Sequence, residues 1–137
     1  MAHSTSQASE FLKVTPNLVV DDIEASTAFY RDVLGFSIVT TVPEQAPFAF
    51  VWLRRGGVEV FLNDAKGVGE LDPALAARAR GGSFTLYVLL TGVDELYAHV
   101  APRAKVVEPI HTQPYGMREF VVEDPDGYLI TLASEQR

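Results

Sequence analysis

Sliding the chain along itself by 70 residues brings Leu18 onto Val88, Ile23 onto Val93, Glu24 onto Asp94 and Gly57 onto Gly127. The matched halves share an order of patterns as well as residues. Each has a β-favouring run, a stretch of helical period, and three further β-favouring runs. An internal duplication of a β-α-β-β-β unit follows, and it restricts the fold severely. Each unit leaves a sheet face too apolar to stand in water alone, so the two must cover one another. The expected class is α+β, with two tandem β-α-β-β-β modules forming curved mixed sheets around a cavity.

In the first copy, Phe11 to Val20 reads as a strand. "DDIEASTAFYRDVLGF" then changes period, with Ile23, Ala28, Phe29, Val33 and Leu34 at helical spacing, acids in the first turn and Gly35 as the stop. "FSIVTTV", "FAFVWLRR" and "VEVFLND" read as strands, broken by Pro43 to Pro47 and by Gly56-Gly57. In "GVGELDPALAARARGG", Asp72 can cap, Pro73 suits the first helical position and Gly81-Gly82 ends the helix. The second copy gives "SFTLYVLL", the helix "GVDELYAHVAPR", then "KVVEPI", "MREFVVE" and "YLITLAS". The resulting division is a flexible lead-in at 1–10, a first module at 11–64, a linker with a short helix at 65–82 and a second module at 83–135, making one compact domain.

Composition excludes several function classes. The 18 acids outnumber 11 bases, for a net charge of −7, which argues against a nucleic-acid partner because neutralising phosphates needs a clustered basic face. No apolar run approaches the ~18 residues of a membrane span. "MAHSTSQASE" has neither the charged start nor the apolar segment of a signal peptide, and a cytoplasmic location is expected. With no cysteine, disulfides, thiolate nucleophiles and zinc-thiolate centres are excluded.

Two patterns are specific in combination: "SxxFYxxxLGF" in the first helix and "DPDGY" near the end. Phe29 and Tyr30 lie on the sheet-facing side of the helix, while Pro125 and Gly127 set a turn, so these positions determine fold rather than reaction. With the duplicated module, they make residues 11 to 135 resemble the vicinal oxygen chelate superfamily, which includes glyoxalase I, extradiol dioxygenases, fosfomycin-resistance enzymes and bleomycin-resistance proteins. Metal-dependent members hold their ion with His and Glu side chains from inner strands. The resemblance places those ligand positions on Thr15, Thr85 and Thr131, with a fourth at Phe61 and Glu59 one alternation away. Threonine hydroxyls are poor ligands for transition metals. Neither His3 in the lead-in, His99 on the second helix nor His111 in a connection replaces them. No metal and no cofactor is expected.

Among metal-free members the likeness is to bleomycin-resistance proteins, carried by "GVDELYAHV", "VEVFLNDA" and "QPYGMREFVVEDPDGY". It implies a homodimer whose clefts sequester a flat aromatic or cationic compound, such as a glycopeptide antibiotic, without chemical change. The linker is longer than that group implies. Alternation puts Thr15, Asn17 and Val19 on one strand face, and Phe50, Trp52, Glu59, Phe61, Thr85, Tyr87, Arg118, Phe120, Leu129 and Thr131 on the matching faces of others. Trp52 is the expected stacking platform, and Asn17, Glu59 and the threonines would orient a polar edge. Two enzymatic alternatives stand beside this binder. One is a metal-dependent lyase or dioxygenase with Glu59, His111 and a partner chain supplying ligands. The other is acid-base catalysis with Glu59 as a base of raised pKa and Arg118 or Tyr115 steadying an anion.

Overall fold

The structure, a computed structural model, describes residues 9–136, so His3 and most of the expected lead-in lie outside the described residues. The elements are β1 (Asn17–Val20), α1 (Ile23–Ala28) running on into a π-helical turn (Phe29–Val33), β2 (Ser37–Val42), β3 (Phe50–Arg55) and β4 (Val58–Asp64). The linker carries α2 (Ala65–Leu71) and α3 (Pro73–Ala76). The second module comprises β5 (Thr85–Leu89), α4 (Val93–Val100) with a 3-10 turn (Ala101–Arg103), β6 (Lys105–Thr112), β7 (Met117–Glu123) and β8 (Leu129–Glu135).

The strands form two four-stranded mixed sheets of the same order, β1-β4-β3-β2 and β5-β8-β7-β6. In the first, β1 runs parallel to β4 with Asn17 opposite Phe61; in the second, β5 runs parallel to β8 with Tyr87 opposite Thr131. Both partners have moved by 70 positions, so the duplication read from sequence survives as strand register. It slips by one residue at the third strand of each module. Phe50 faces Asn63 in the first sheet, but Glu119, not Phe120, faces Ala133 in the second. The cause is the hairpin turn. Arg55 pairs with Val58 across Gly56-Gly57, whereas Asp124 donates its N–H to the Tyr128 carbonyl (2.9 Å) across three residues, Pro125 to Gly127.

Two expectations about extent need correction. The first strand begins at Asn17 rather than Phe11. Pro16 still accepts from the Phe61 N–H (2.9 Å), but a proline has no N–H to carry the ladder onward, and Phe11, Leu12 and Val14 are exposed. The linker holds two short helices instead of one reaching Gly81. Asp72 caps the second as expected, accepting from the Leu75 N–H (3.1 Å), yet that helix ends at Ala76, and the chain crosses irregularly to β5.

The helix-side faces of both sheets merge into one core. Leu18, Val20, Ile23, Phe29, Tyr30, Val51, Leu53 and Leu62 join Val93, Val100, Phe120, Val122, Ile130 and Leu132. At about 1.5–3 kcal/mol for each large side chain withdrawn from water, this cluster stabilises both modules and is continuous across them. Polar contacts orient it. The Tyr30 hydroxyl donates to Asp124 Oδ2 (2.8 Å) and the Tyr128 hydroxyl to the Val19 carbonyl (2.8 Å). Asp126 accepts from the Asp21 N–H (2.9 Å) and the Ser26 hydroxyl (3.0 Å) at the start of α1. The Phe-Tyr and Asp-Pro-Asp-Gly-Tyr patterns are therefore two halves of one bracket between modules. Burial pushes the Asp124 carboxyl above its ordinary value against the hydrogen bonds it accepts, and burial with the neighbouring Asp124 raises Tyr30 well above the usual phenol range.

Candidate functional site

Each sheet has a face turned away from its helix, and the two faces carry different chemistry. On the first, register puts Asn17, Phe50, Trp52, Arg54, Glu59, Phe61 and Asn63 together. The Phe61 ring lies between its neighbours, 5.2 Å from Phe50 and 5.8 Å, edge to face, from Trp52. Half-buried rings in such a row present aromatic edges and faces together, an arrangement that suits a flat partner. Trp52 Nε1 donates to Glu59 Oε1 (2.7 Å), which fixes the indole. Arg54 covers the same ring at 5.3 Å. Asn17 is already engaged, since its Oδ1 accepts from Asn63 Nδ2 (2.6 Å).

Glu59 is no general base of raised pKa. The Lys13 ammonium bonds its Oε2 at 2.7 Å, the Trp52 N–H adds a second donor, and Arg54 lies 3.8 Å away. The Lys13 hydrogen bond is the largest influence, and against some desolvation these groups hold the carboxyl below its usual value. The expectation of a desolvated basic Glu59 is overturned because two cations and an indole donor surround it.

On the second face, Thr85, Tyr87, Glu119, Val121, Leu129, Thr131 and Ala133 come together. Arg118 and Phe120 do not join them, which corrects the expected lining. Phe120 is fully buried on the helix side, edge to face with Tyr97 at 4.9 Å, and Arg118 pairs there with Asp94 on α4 at 2.9 Å. The intervening residue, Glu119, takes the open face and is 5% exposed. Its Oε2 accepts from the Tyr87 hydroxyl (3.0 Å), and its Oε1 from the Tyr115 hydroxyl (2.8 Å) and Gln113 Nε2 (3.0 Å). Bonding to Glu119 pushes the Tyr115 phenol up to about 12, while partial burial, then Glu119, raises Tyr87. His111 sits across the β6–β7 ladder from Glu119, its Nδ1 2.9 Å from the Pro109 carbonyl.

A cavity of about 1100 Å³ runs along β5. Its walls combine Glu59 and the β3–β4 turn of the first module with Thr85, Tyr87 and Leu89 of the second, over apolar Leu86, Val88, Ile130 and Leu132. Of the residues expected from sequence, Glu59, Thr85 and Tyr87 share this cavity. Phe50, Trp52 and Phe61 do not line it and form their row on the open face of the first sheet, while Tyr115 and Thr131 lie on that of the second, bonded to Glu119 and Thr85. Sequence reading missed Glu119, Gln113, Lys13, Arg54 and Asn63. Only Glu119 left a usable signal, the alternation from Thr131 across a turn of known length.

Two of the ligand positions that the family resemblance implies, Thr85 and Thr131, offer only hydroxyls. Thr85 and Thr131 hydroxyls bond one another at 2.8 Å, and Thr85 reaches the Leu129 carbonyl at 3.2 Å. These are neutral, mutually satisfied oxygens rather than imidazole or carboxylate donors. Among the described residues no three His, Asp or Glu side chains converge at a common point.

The chain's relatives agree with this architecture. A bleomycin resistance protein from Geobacillus stearothermophilus is 31% identical over 130 residues, spanning 88% of this chain and 94% of that one. A crystal structure of a protein of unknown function from Agrobacterium tumefaciens superposes with a TM-score of 0.74 at 26% identity, covering 93% of this chain and 96% of the other. That of a glyoxalase/bleomycin resistance protein/dioxygenase from Nocardioides gives 0.72 at 22% identity, covering 99% and 92%. The family model for the glyoxalase/bleomycin resistance protein/dioxygenase superfamily matches residues 11–132, and the chain belongs to that superfamily.

Proposed function

We propose that this protein binds and sequesters a small molecule, a flat aromatic or cationic compound of the glycopeptide-antibiotic kind, without transforming it. The carrying observation is the Thr85–Thr131 hydroxyl pair at 2.8 Å, a neutral contact where a metal enzyme of this superfamily presents ligands. The row formed by Phe50, Phe61 and Trp52 supplies stacking area, and the cavity along β5, which shares Glu59 with that sheet, is large enough for a drug-sized molecule. The Geobacillus relative, named a bleomycin resistance protein, supports the same ligand class. The acting unit is a homodimer in the cytoplasm, in which a second copy covers exposed apolar residues such as Phe11, Leu12 and Leu89.

The test is a titration of purified protein with metal-free and copper-loaded bleomycin and phleomycin. Trp52, the single tryptophan, serves as the fluorescent reporter. Saturable quenching with the compound recovered intact is the expected result. Its absence across the panel, or recovery of an altered compound, overturns the reading. Light scattering at the same concentrations tests the dimer.

A further inference from the structure

Glu59 and Glu119 each stand on an open sheet face, and of the two only Glu59 is met by cations. Glu59 is met by Lys13 at 2.7 Å and by Arg54 at 3.8 Å. Glu119 has three neutral donors, from Tyr87, Tyr115 and Gln113, and among the described residues no Lys, Arg or His nitrogen pairs with it. Three hydrogen bonds stabilise a carboxylate withdrawn from water without neutralising its charge, and the field of that charge is weakly screened. The groups that cover it are themselves open: Tyr87 is 51% exposed and Tyr115 65%. Each phenol is tied to the carboxylate by its hydroxyl, leaving the ring face free, and Tyr87 stands on the wall of the cavity along β5.

We propose that Glu119, Tyr87 and Tyr115 form the recognition point for an organic monocation, an ammonium or amidinium group carried by the ligand. The cation seats against the two phenol rings, and the Glu119 charge supplies the missing counter-ion. Cation–π attraction and a buried carboxylate act in the same direction here, and neither favours a neutral isostere. The assignment rests on the binding function proposed above and moves the charge-reading role from Glu59 to Glu119. Glu59 instead fixes the indole that stacks.

The experiment compares benzamidinium with benzamide, two flat probes of nearly equal shape that differ in charge. Binding is followed by NMR shift perturbation in the wild type, Glu119→Gln and Glu59→Gln. Wild type is expected to prefer the cation by about tenfold. Glu119→Gln, which keeps the shape and one acceptor oxygen while its amide N–H can donate to a reoriented tyrosine hydroxyl, should lose that preference while retaining benzamide affinity, and Glu59→Gln should keep it. Equal affinity of wild type for both probes, or a preference that survives Glu119→Gln, overturns the assignment while leaving the binding function standing. Failure of wild type to bind either probe overturns both. Should Glu119→Gln not fold, the Tyr87→Phe/Tyr115→Phe pair decides. It unties both rings from the carboxylate, and an unchanged preference there overturns the proposal.

Discussion

Replacing Tyr30 by Phe removes one oxygen from the centre of the bracket between modules and leaves its ring in place. In the wild type the Tyr30 hydroxyl is the donor to Asp124 Oδ2 (2.8 Å), while the N–H groups of Asp126 and Tyr128 serve Oδ1. The variant therefore leaves Oδ2 buried without that donor. A hydrogen bond to a buried carboxylate contributes about 1.5–3 kcal/mol, so a loss near 2 kcal/mol is expected. With about 2.1 cal/mol/K of unfolding entropy per residue, that loss corresponds to a fall in Tm of roughly 7 °C for a chain of this length.

The pH dependence gives a sharper check on the same variant. Asp124 titrates above its ordinary value in the folded protein, chiefly through burial, and the Tyr30 bond opposes that rise. Without Tyr30 the folded-state value climbs further. A group raised on folding takes stability away as pH rises from its unfolded value through its folded one. The penalty for Tyr30→Phe is thus full at neutral pH and shrinks as acid protonates Asp124. Calorimetric melts of both proteins from pH 7 towards pH 4 measure it. A fall in Tm under about 2 °C, or a difference that stays constant across the series, would refute the bracket as described.

Two further substitutions test the turn and the face assignment. Gly127→Ala and Gly81→Ala both place a side chain at positive φ, +87° and +89°, but only at Gly81 does the new Cβ meet a backbone atom, the Gly127 carbonyl oxygen at 2.7 Å. Gly127→Ala should cost about 1–2 kcal/mol of conformational strain, and Gly81→Ala clearly more, by denaturant unfolding; equal losses contradict the close approach. Arg118→Ala removes a partly exposed pair with Asp94, so stability should drop by no more than about 1 kcal/mol, with ligand affinity changed less than about twofold. A tenfold loss of affinity would put Arg118 back on the ligand face.

What the sequence made legible was local or periodic. Asp22 caps α1 by accepting from the Ala25 N–H (3.1 Å), Gly35 stops the helical segment at φ +76°, and the 70-residue repeat reappears as matched registers of β1 with β4 and β5 with β8. What it hid depended on one turn residue or on distant partners. A uniform shift of 70 carries Phe50 to Phe120, but the longer turn makes the true offset 69 and the equivalent residue Glu119. Because side chains alternate along a strand, that single residue exchanges a buried phenylalanine for a carboxylate on the open face. The state of Glu59 was hidden differently. Lys13 lies 46 positions away in a segment with no ladder of its own, and no spacing rule brings the two together.

The slip also separates the roles of the two modules. At equivalent register positions the first copy presents Asn17, Phe50 and Phe61, and the second presents Tyr87, Glu119 and Thr131. One frame thus carries an aromatic row beside a carboxylate already matched by two cations, and the other a carboxylate reached only through neutral donors. Had both copies kept aromatic residues there, a binder of this kind would discriminate by ring size and little else. Had both kept free carboxylates, it would attract cations with no surface to stack them. Under the binding function proposed above, the division would let stacking area and charge recognition vary independently.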